Sequence, residues 1–166
     1  MLNTTQLAFL LIPIAIIAFQ DFKYRAVHVL AFLLLLTGVA YTLYDWEVWR
    51  PIDILLNNLF IGINLSGVWL YLRVTGRIFS WKETTSYLGM GDLAFWLVIS
   101  LLLPLVNYVL FFLISLLIAL LLGKIIFRAP RTIPLAGIQA LVLWIVLCAD
   151  SLYFQKGVIL QNCLIP

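Results

Sequence analysis

Residues 93–122 read LAFWLVISLLLPLVNYVLFFLISLLIALLL, and how this stretch is divided decides the fold. It is almost wholly apolar and carries no charge, the signature of a helix that crosses a bilayer. Roughly 20 residues make one crossing, so the stretch is too long for a single span. Pro104 and Asn107 interrupt it. Proline breaks or kinks a helix, and asparagine favours turns. A tight hairpin over Pro104–Asn107 therefore predicts two helices, a rather short one from Asp92 to Leu103 and a longer one from Leu105 to Phe127. The alternative is one kinked helix, which leaves five spans and puts the termini on opposite sides of the membrane.

The rest of the chain has the same character. Of its 166 residues, 65% are hydrophobic and only 10% charged, well above the apolar content of roughly 45–50% in soluble domains. The apolar runs are continuous rather than alternating, which argues against a β-barrel. Four further runs qualify as spans: about Thr5–Gln20, Val29–Tyr44, Ile54–Leu72 and Ile133–Ala149. The expectation is a single all-α polytopic membrane domain of six transmembrane helices covering residues 1–166, with short loops only. Met1–Gln20 lacks a basic leader region and a clear small-residue cleavage site, so it is read as a retained first span.

Charge sets the orientation. Lys23 and Arg25 lie in the first loop, Arg73, Arg77 and Lys82 in the third, and Lys124, Arg128 and Arg131 in the fifth. Only Arg50 and Lys156 fall in the alternate segments. This alternation is the positive-inside pattern. It predicts a multi-pass protein of the cell (inner) membrane with both termini outside and the three basic loops in the cytoplasm. Basic residues scattered in this way encode topology and give no sign of a nucleic-acid partner. Tyr44, Trp46 and Trp49 at an outer edge, and Phe79, Trp81 and Tyr87 in a cytoplasmic loop, read as interfacial anchors. Cys148 and Cys163 form no CxxC pair and read as unpaired or structural thiols. His28, the only histidine, reads as a polar anchor.

Two carboxylates stand out. Asp92 closes Gly89-Met90-Gly91-Asp92 at the mouth of the long apolar stretch, and Asp21 sits at the edge of the first span. A carboxylate entering a bilayer is expensive and marks a functional site by default. The two glycines before Asp92 permit tight bending or close approach of another chain, which makes Gly89 and Gly91 candidates for positioning a substrate segment. The topology puts Asp21 and Asp92 on the same side of the membrane. If the first and fourth helices pack together, the carboxyls face each other, and a close pair retains one proton and titrates as a unit. One carboxylate then acts as base on a water while its protonated partner donates to a peptide carbonyl. The competing reading is structural: Asp21 balances Lys23 or Arg25, and Asp92 caps the fourth helix.

The segment Phe19-Gln20-Asp21-Phe22-Lys23-Tyr24-Arg25, followed by Gly89-Met90-Gly91-Asp92, resembles the type IV prepilin peptidases. These are polytopic GxGD aspartyl proteases, with archaeal preflagellin peptidases as relatives. Thr132-Ile133-Pro134-Leu135-Ala136-Gly137 resembles the Ile-Pro segment that opens the last core helix of that family. The chain departs from the family pattern at Val27, His28 and Val29, where Ile-Pro-Asn is common. It departs again at Ala94, where lysine is usual, and at Gly137, where a second proline is usual. The resemblance covers about Phe19 to Leu147 and implies a GxGD bundle with Asp21 and Asp92 as its catalytic pair. It implies no metal and no cofactor. It also implies a substrate class, type IV pilin-like precursors cut on the cytoplasmic side where a short basic leader meets an apolar helix. The cysteine-bearing cytoplasmic insertion of larger bacterial members is missing here, so no N-methylation is expected.

Other functions remain open at this level. A catalytically inactive relative acting as scaffold or assembly subunit uses the two aspartates as caps. That reading predicts carboxyls more than about 12 Å apart with no mobile segment to close the gap, beyond hydrogen-bond or bridging-water reach. A small transporter using Asp92 for proton coupling predicts a polar path, for which Asn57, Asn58, Asn64, Ser66, Ser100 and Ser115 are the few candidates. Such residues more often bond between helices than line a pore. A presenilin-like protease needs more spans than the chain can supply.

Overall fold

Pro104 cannot donate a helical hydrogen bond, and the chain breaks there. The computed structural model, which describes residues 4–46, 51–76, 89–126 and 134–151, is all-helical around that break. The helices are α1 (Thr4–Tyr24), α2 (Val29–Trp46), α3 (Pro51–Val74), α4 (Met90–Leu102), α5 (Leu105–Ile126) and α6 (Leu135–Ala149). Among the described residues three helical stretches are long and apolar enough to cross a membrane: Thr5–Tyr24, Pro51–Val74 and Leu105–Gly123. Val29–Tyr44, Met90–Leu102 and Leu135–Ala149 are equally apolar but shorter.

Each run expected as a span is helical, with shifted ends. α1 continues past Gln20 through Asp21 to Tyr24, so Asp21 lies in the last turn of a helix rather than in a loop. Arg25 then ends α1 by entering the left-handed region (φ 55), with its N–H on the Asp21 carbonyl at 3.1 Å. The break between α4 and α5 falls at Leu103–Pro104, and Asn107 is buried in the first turn of α5. The chain reverses there. Trp96 and Phe112, which a continuous helix would hold about 24 Å apart, pack edge-on with ring centroids 5.1 Å apart. Arg50, Arg77, Lys82, Arg128, Arg131 and Lys156 lie outside the described residues, as do Trp49, Phe79, Trp81, Tyr87, Thr132, Ile133, Cys163 and the Lys124 side chain.

α1 and α6 form the centre of the bundle. α1 packs against α6 and α2, α6 against α5 and α4, and α4 bridges to α2, while α3 lies outside on α4 and α5. Large apolar side chains also cover the outside, among them Leu30, Leu33, Ile52, Leu55, Leu59, Leu113, Leu117 and Leu120. Helices apolar on every face suit a lipid surround, where association rests on close packing and interhelical hydrogen bonds. Close packing is clearest at Gly38 in α2. A Cβ there would stand 2.5 Å from the Phe9 carbonyl oxygen of α1, so only glycine lets the two backbones meet.

The hydrogen-bond contribution is clearest at the break. The Ser100 carbonyl would pair with the N–H of residue 104, which proline lacks. Asn57 of α3 donates Nδ2 to Ser100 O at 2.9 Å and to Leu103 O at 3.0 Å. Asn57→Leu removes this donor from two carbonyls in an apolar interior, at a cost of about 1–3 kcal/mol. Thermal unfolding in detergent will show a lower midpoint; an unchanged midpoint would mean that Asn57 does not hold the break.

Candidate active site: two carboxylates at the start of α6

Both aspartates continue the buried stripe of their own helix. In α1 the core-facing residues Leu10, Ile14 and Ile17 are fully buried at helical spacing, and Asp21 is the next member, only 8% exposed. In α4, Ile99 and Phe95 or Trp96 face the core, and Asp92 lies one turn earlier on the same face. The end of α1 and the start of α4 thus both present a carboxylate to the interior, at the end of the bundle where α6 begins.

The start of α6 receives them. Its N-cap is Pro134, which makes no side-chain cap hydrogen bond. The first N–H groups of a helix have no partner within it and carry partial positive charge, which favours anions. Ala136 N–H donates to Asp92 Oδ1 at 2.7 Å, and Gly137 N–H donates to Asp21 Oδ2 at 2.6 Å. These lengths are typical of bonds to a charged acceptor. Consecutive amide nitrogens are about 2.8 Å apart in a helix, so the two accepting oxygens lie within about 8 Å of each other. Each aspartate feels its surroundings electrostatically: Asp21 acts on Asp92, and Arg25 supplies positive charge to Asp21.

Gly137 makes this approach possible. A Cβ at that position would stand 3.0 Å from Asp21 Oδ2, 3.1 Å from Asp21 Cβ and 3.4 Å from the Ala18 carbonyl. The sequence reading gave Gly137 and Ala136 no place in the site. Their contribution comes from backbone N–H groups, which any residue type except proline supplies. The available signal was Pro134 at an expected helix start with Ala136 and Gly137 in the first turn after it, since such a start is an anion site.

Of the two glycines expected to position a substrate segment, only Gly89 lies in extended backbone. It is the exposed, extended N-cap of α4 (φ −61, ψ 133), and its carbonyl accepts from Asp92 N at 3.0 Å. Gly91 is helical, in the first turn of α4, and a Cβ there would meet Phe32 and Val27 at an ordinary 3.9 Å. Asp92 thus places its charge in the first turn of α4, where a helix start favours an anion, while Oδ1 accepts from the Ala136 N–H of α6. His28 stays apart from the pair. It caps α2 by accepting the Leu30 N–H on Nδ1 at 3.3 Å, and its own N–H is held by Gln20 Oε1 at 2.8 Å.

Asp21, buried, and Asp92, half-buried, are held by adjacent amides with their accepting oxygens within about 8 Å, which makes them a candidate acid–base pair. Comparison with protein-family models, with curated proteins and with solved structures found no match for this chain.

Proposed function

We propose that the protein is a membrane aspartyl endopeptidase that removes the leader of type IV pilin-like precursors at the cytoplasmic face. The observation that carries this reading is the convergence of Asp21 and Asp92 on the adjacent N–H groups of Gly137 and Ala136. In the reaction one carboxylate takes a proton from water as the water oxygen adds to the scissile carbonyl. The protonated partner donates to the carbonyl oxygen, giving a gem-diol; as the C–N bond breaks, the first carboxylate passes its proton to the leaving amine and a gem-diol hydroxyl returns one to the partner. The α6 amides keep both carboxylates aimed at the same place throughout. The substrate class follows from the resemblance to prepilin peptidases. Gly89, exposed and extended beside Asp92, is the backbone against which an extended scissile segment would lie. The scaffold reading predicts carboxyls more than about 12 Å apart, and the bound of about 8 Å counts against it. Co-expression with a precursor bearing a short basic leader before an apolar helix tests the proposal. Loss of the leader supports it, and a leader that stays on every precursor of this class contradicts it.

In this reading all six helices belong to the membrane domain, with both termini outside and the site at the cytoplasmic end. α4 and α6, at about 20 and 22 Å, are shorter than a hydrocarbon core of about 30 Å. Their first turns then begin below the membrane surface, which recesses the carboxylates. Ala26 is exposed in the turn after α1, four residues beyond Phe22 and on the same side as the site. A cysteine there, with Cys148 and Cys163 replaced by serine, is expected to react with an impermeant maleimide in inverted vesicles and not in intact cells. Labelling from outside the cell would reverse the orientation.

A further inference from the structure

One helical turn below the carboxylates lies a second connection between α4 and α6, made entirely of side chains. Trp96 follows Asp92 by four residues and Gln139 follows Ala136 by three, so each shares a helix face with its predecessor. Trp96 Nε1 donates to Gln139 Oε1 at 2.6 Å, and Gln139 Nε2 donates to Ser115 Oγ of α5 at 3.2 Å. Ser115 Oγ donates onward to the Phe112 carbonyl at 3.1 Å. Trp96 is 5% exposed, and Gln139 and Ser115 are completely buried. The indole N–H is a donor only, so it must meet the amide oxygen, which leaves the amide nitrogen for the hydroxyl. The order of bonds is fixed by chemistry as well as by geometry.

A fully satisfied polar chain inside an apolar bundle selects one register, because any slide between helices leaves a buried donor or acceptor unpaired. Phe112 packs edge-on against the Trp96 ring, and the Tyr108 hydroxyl approaches the Trp96 carbonyl at 3.4 Å, which seats the same tryptophan from the α5 side. The Trp96–Gln139 bond and the Asp92–Ala136 bond are two successive rungs between α4 and α6. Asp21 is tied to α6 through the Gly137 N–H. The placement of Asp92 relative to Asp21 therefore depends on how α4 is registered against α6.

We propose that Trp96, Gln139 and Ser115 form a buried hydrogen-bonded chain that sets this register and so the spacing of the two carboxylates. Trp96 and Gln139 are then positioning residues for the hydrolysis, touching neither water nor substrate. The proposal rests on the peptidase reading for its activity consequence, while its structural content stands independently.

Three variants test it: Gln139→Leu, which keeps similar volume without the amide, Trp96→Phe, which keeps an aromatic ring without the N–H, and their combination. The first readout does not need activity. Spin labels at exposed Met90 and Phe22, in a background lacking Cys148 and Cys163, report the distance between the start of α4 and the end of α1. The expected result is a broadened or shifted distance distribution in each single variant, with the double variant no worse than the more affected single one. The second readout is precursor cleavage. Turnover is expected to fall by about 10²-fold with KM unchanged, as for a misplacement of about 1 Å between catalytic groups. Gln139→Glu, which restores the acceptor for Trp96, is expected to recover the narrow distribution. Unchanged distance distributions in both Gln139→Leu and Trp96→Phe would overturn the proposal. Altered distributions with no precursor cleavage by the unmodified protein would support the register and overturn the peptidase reading instead.

Discussion

Asp92→Asn and Asp21→Asn are each expected to abolish precursor cleavage while leaving the protein folded and inserted. Asparagine keeps a carbonyl oxygen where the carboxylate accepts from Ala136 or Gly137, so the contact that docks α6 survives. What it loses is proton transfer, for which a positioned side chain supplies about 10²–10⁴-fold. The double variant is expected to fall little below either single one, because groups that act as a unit are not additive. The assay is loss of the leader at matched membrane content, with the unfolding midpoint as the control. Turnover at the unmodified rate in the double variant would remove both aspartates from the mechanism. Leucine at either position is a different experiment, since it strips the acceptor from an α6 amide and unsettles the helix itself.

Substitution of Gly137 is expected to have the next largest effect, graded by side-chain size. The Cβ of alanine falls 3.0 and 3.1 Å from Asp21 atoms, so Asp21 must move by a few tenths of an ångström. A shift of that order weakens the Gly137–Asp21 hydrogen bond and lowers turnover by about tenfold, below the loss of about 10² that a 1 Å misplacement brings. Valine adds two methyl groups against Asp21 and the Ala18 carbonyl, and overpacking of this kind costs about 1–3 kcal/mol. Gly137→Val is therefore expected to lose activity and to lower the unfolding midpoint, whereas Gly137→Ala lowers activity with a smaller change in stability. Equal activity in all three proteins would show that the close approach of α6 to Asp21 has no part in the site.

The helices were legible because each is a continuous apolar run with polar or basic ends. The α4–α5 reversal was legible because Pro104 removes a specific hydrogen bond. What the sequence could not supply was the compensation, since nothing local links Asn57 to Ser100 forty-three positions away. The two aspartates were legible as charges at the edges of apolar segments, and their inward direction follows from the helical spacing Ile14, Ile17, Asp21 and Asp92, Trp96, Ile99. The partner that joins them was hidden for a physical reason. α6 contributes main-chain N–H groups, and a main-chain donor leaves no residue-type signature except the smallness of Gly137. Gly91 shows the opposite case, a glycine in a suggestive motif that the fold uses as an ordinary helical residue.

The central claim, that Asp21 and Asp92 together hydrolyse a precursor at the cytoplasmic end of the bundle, is tested most directly with purified components. The unmodified protein and the double asparagine variant are reconstituted separately into vesicles with a pilin-like precursor, and the products are weighed by intact-mass spectrometry. The expected result, from the unmodified protein only, is a pair of new masses, the basic leader and the shortened chain, which together equal the precursor plus one water. The same product from the double asparagine variant, or an intact precursor in both, would contradict it.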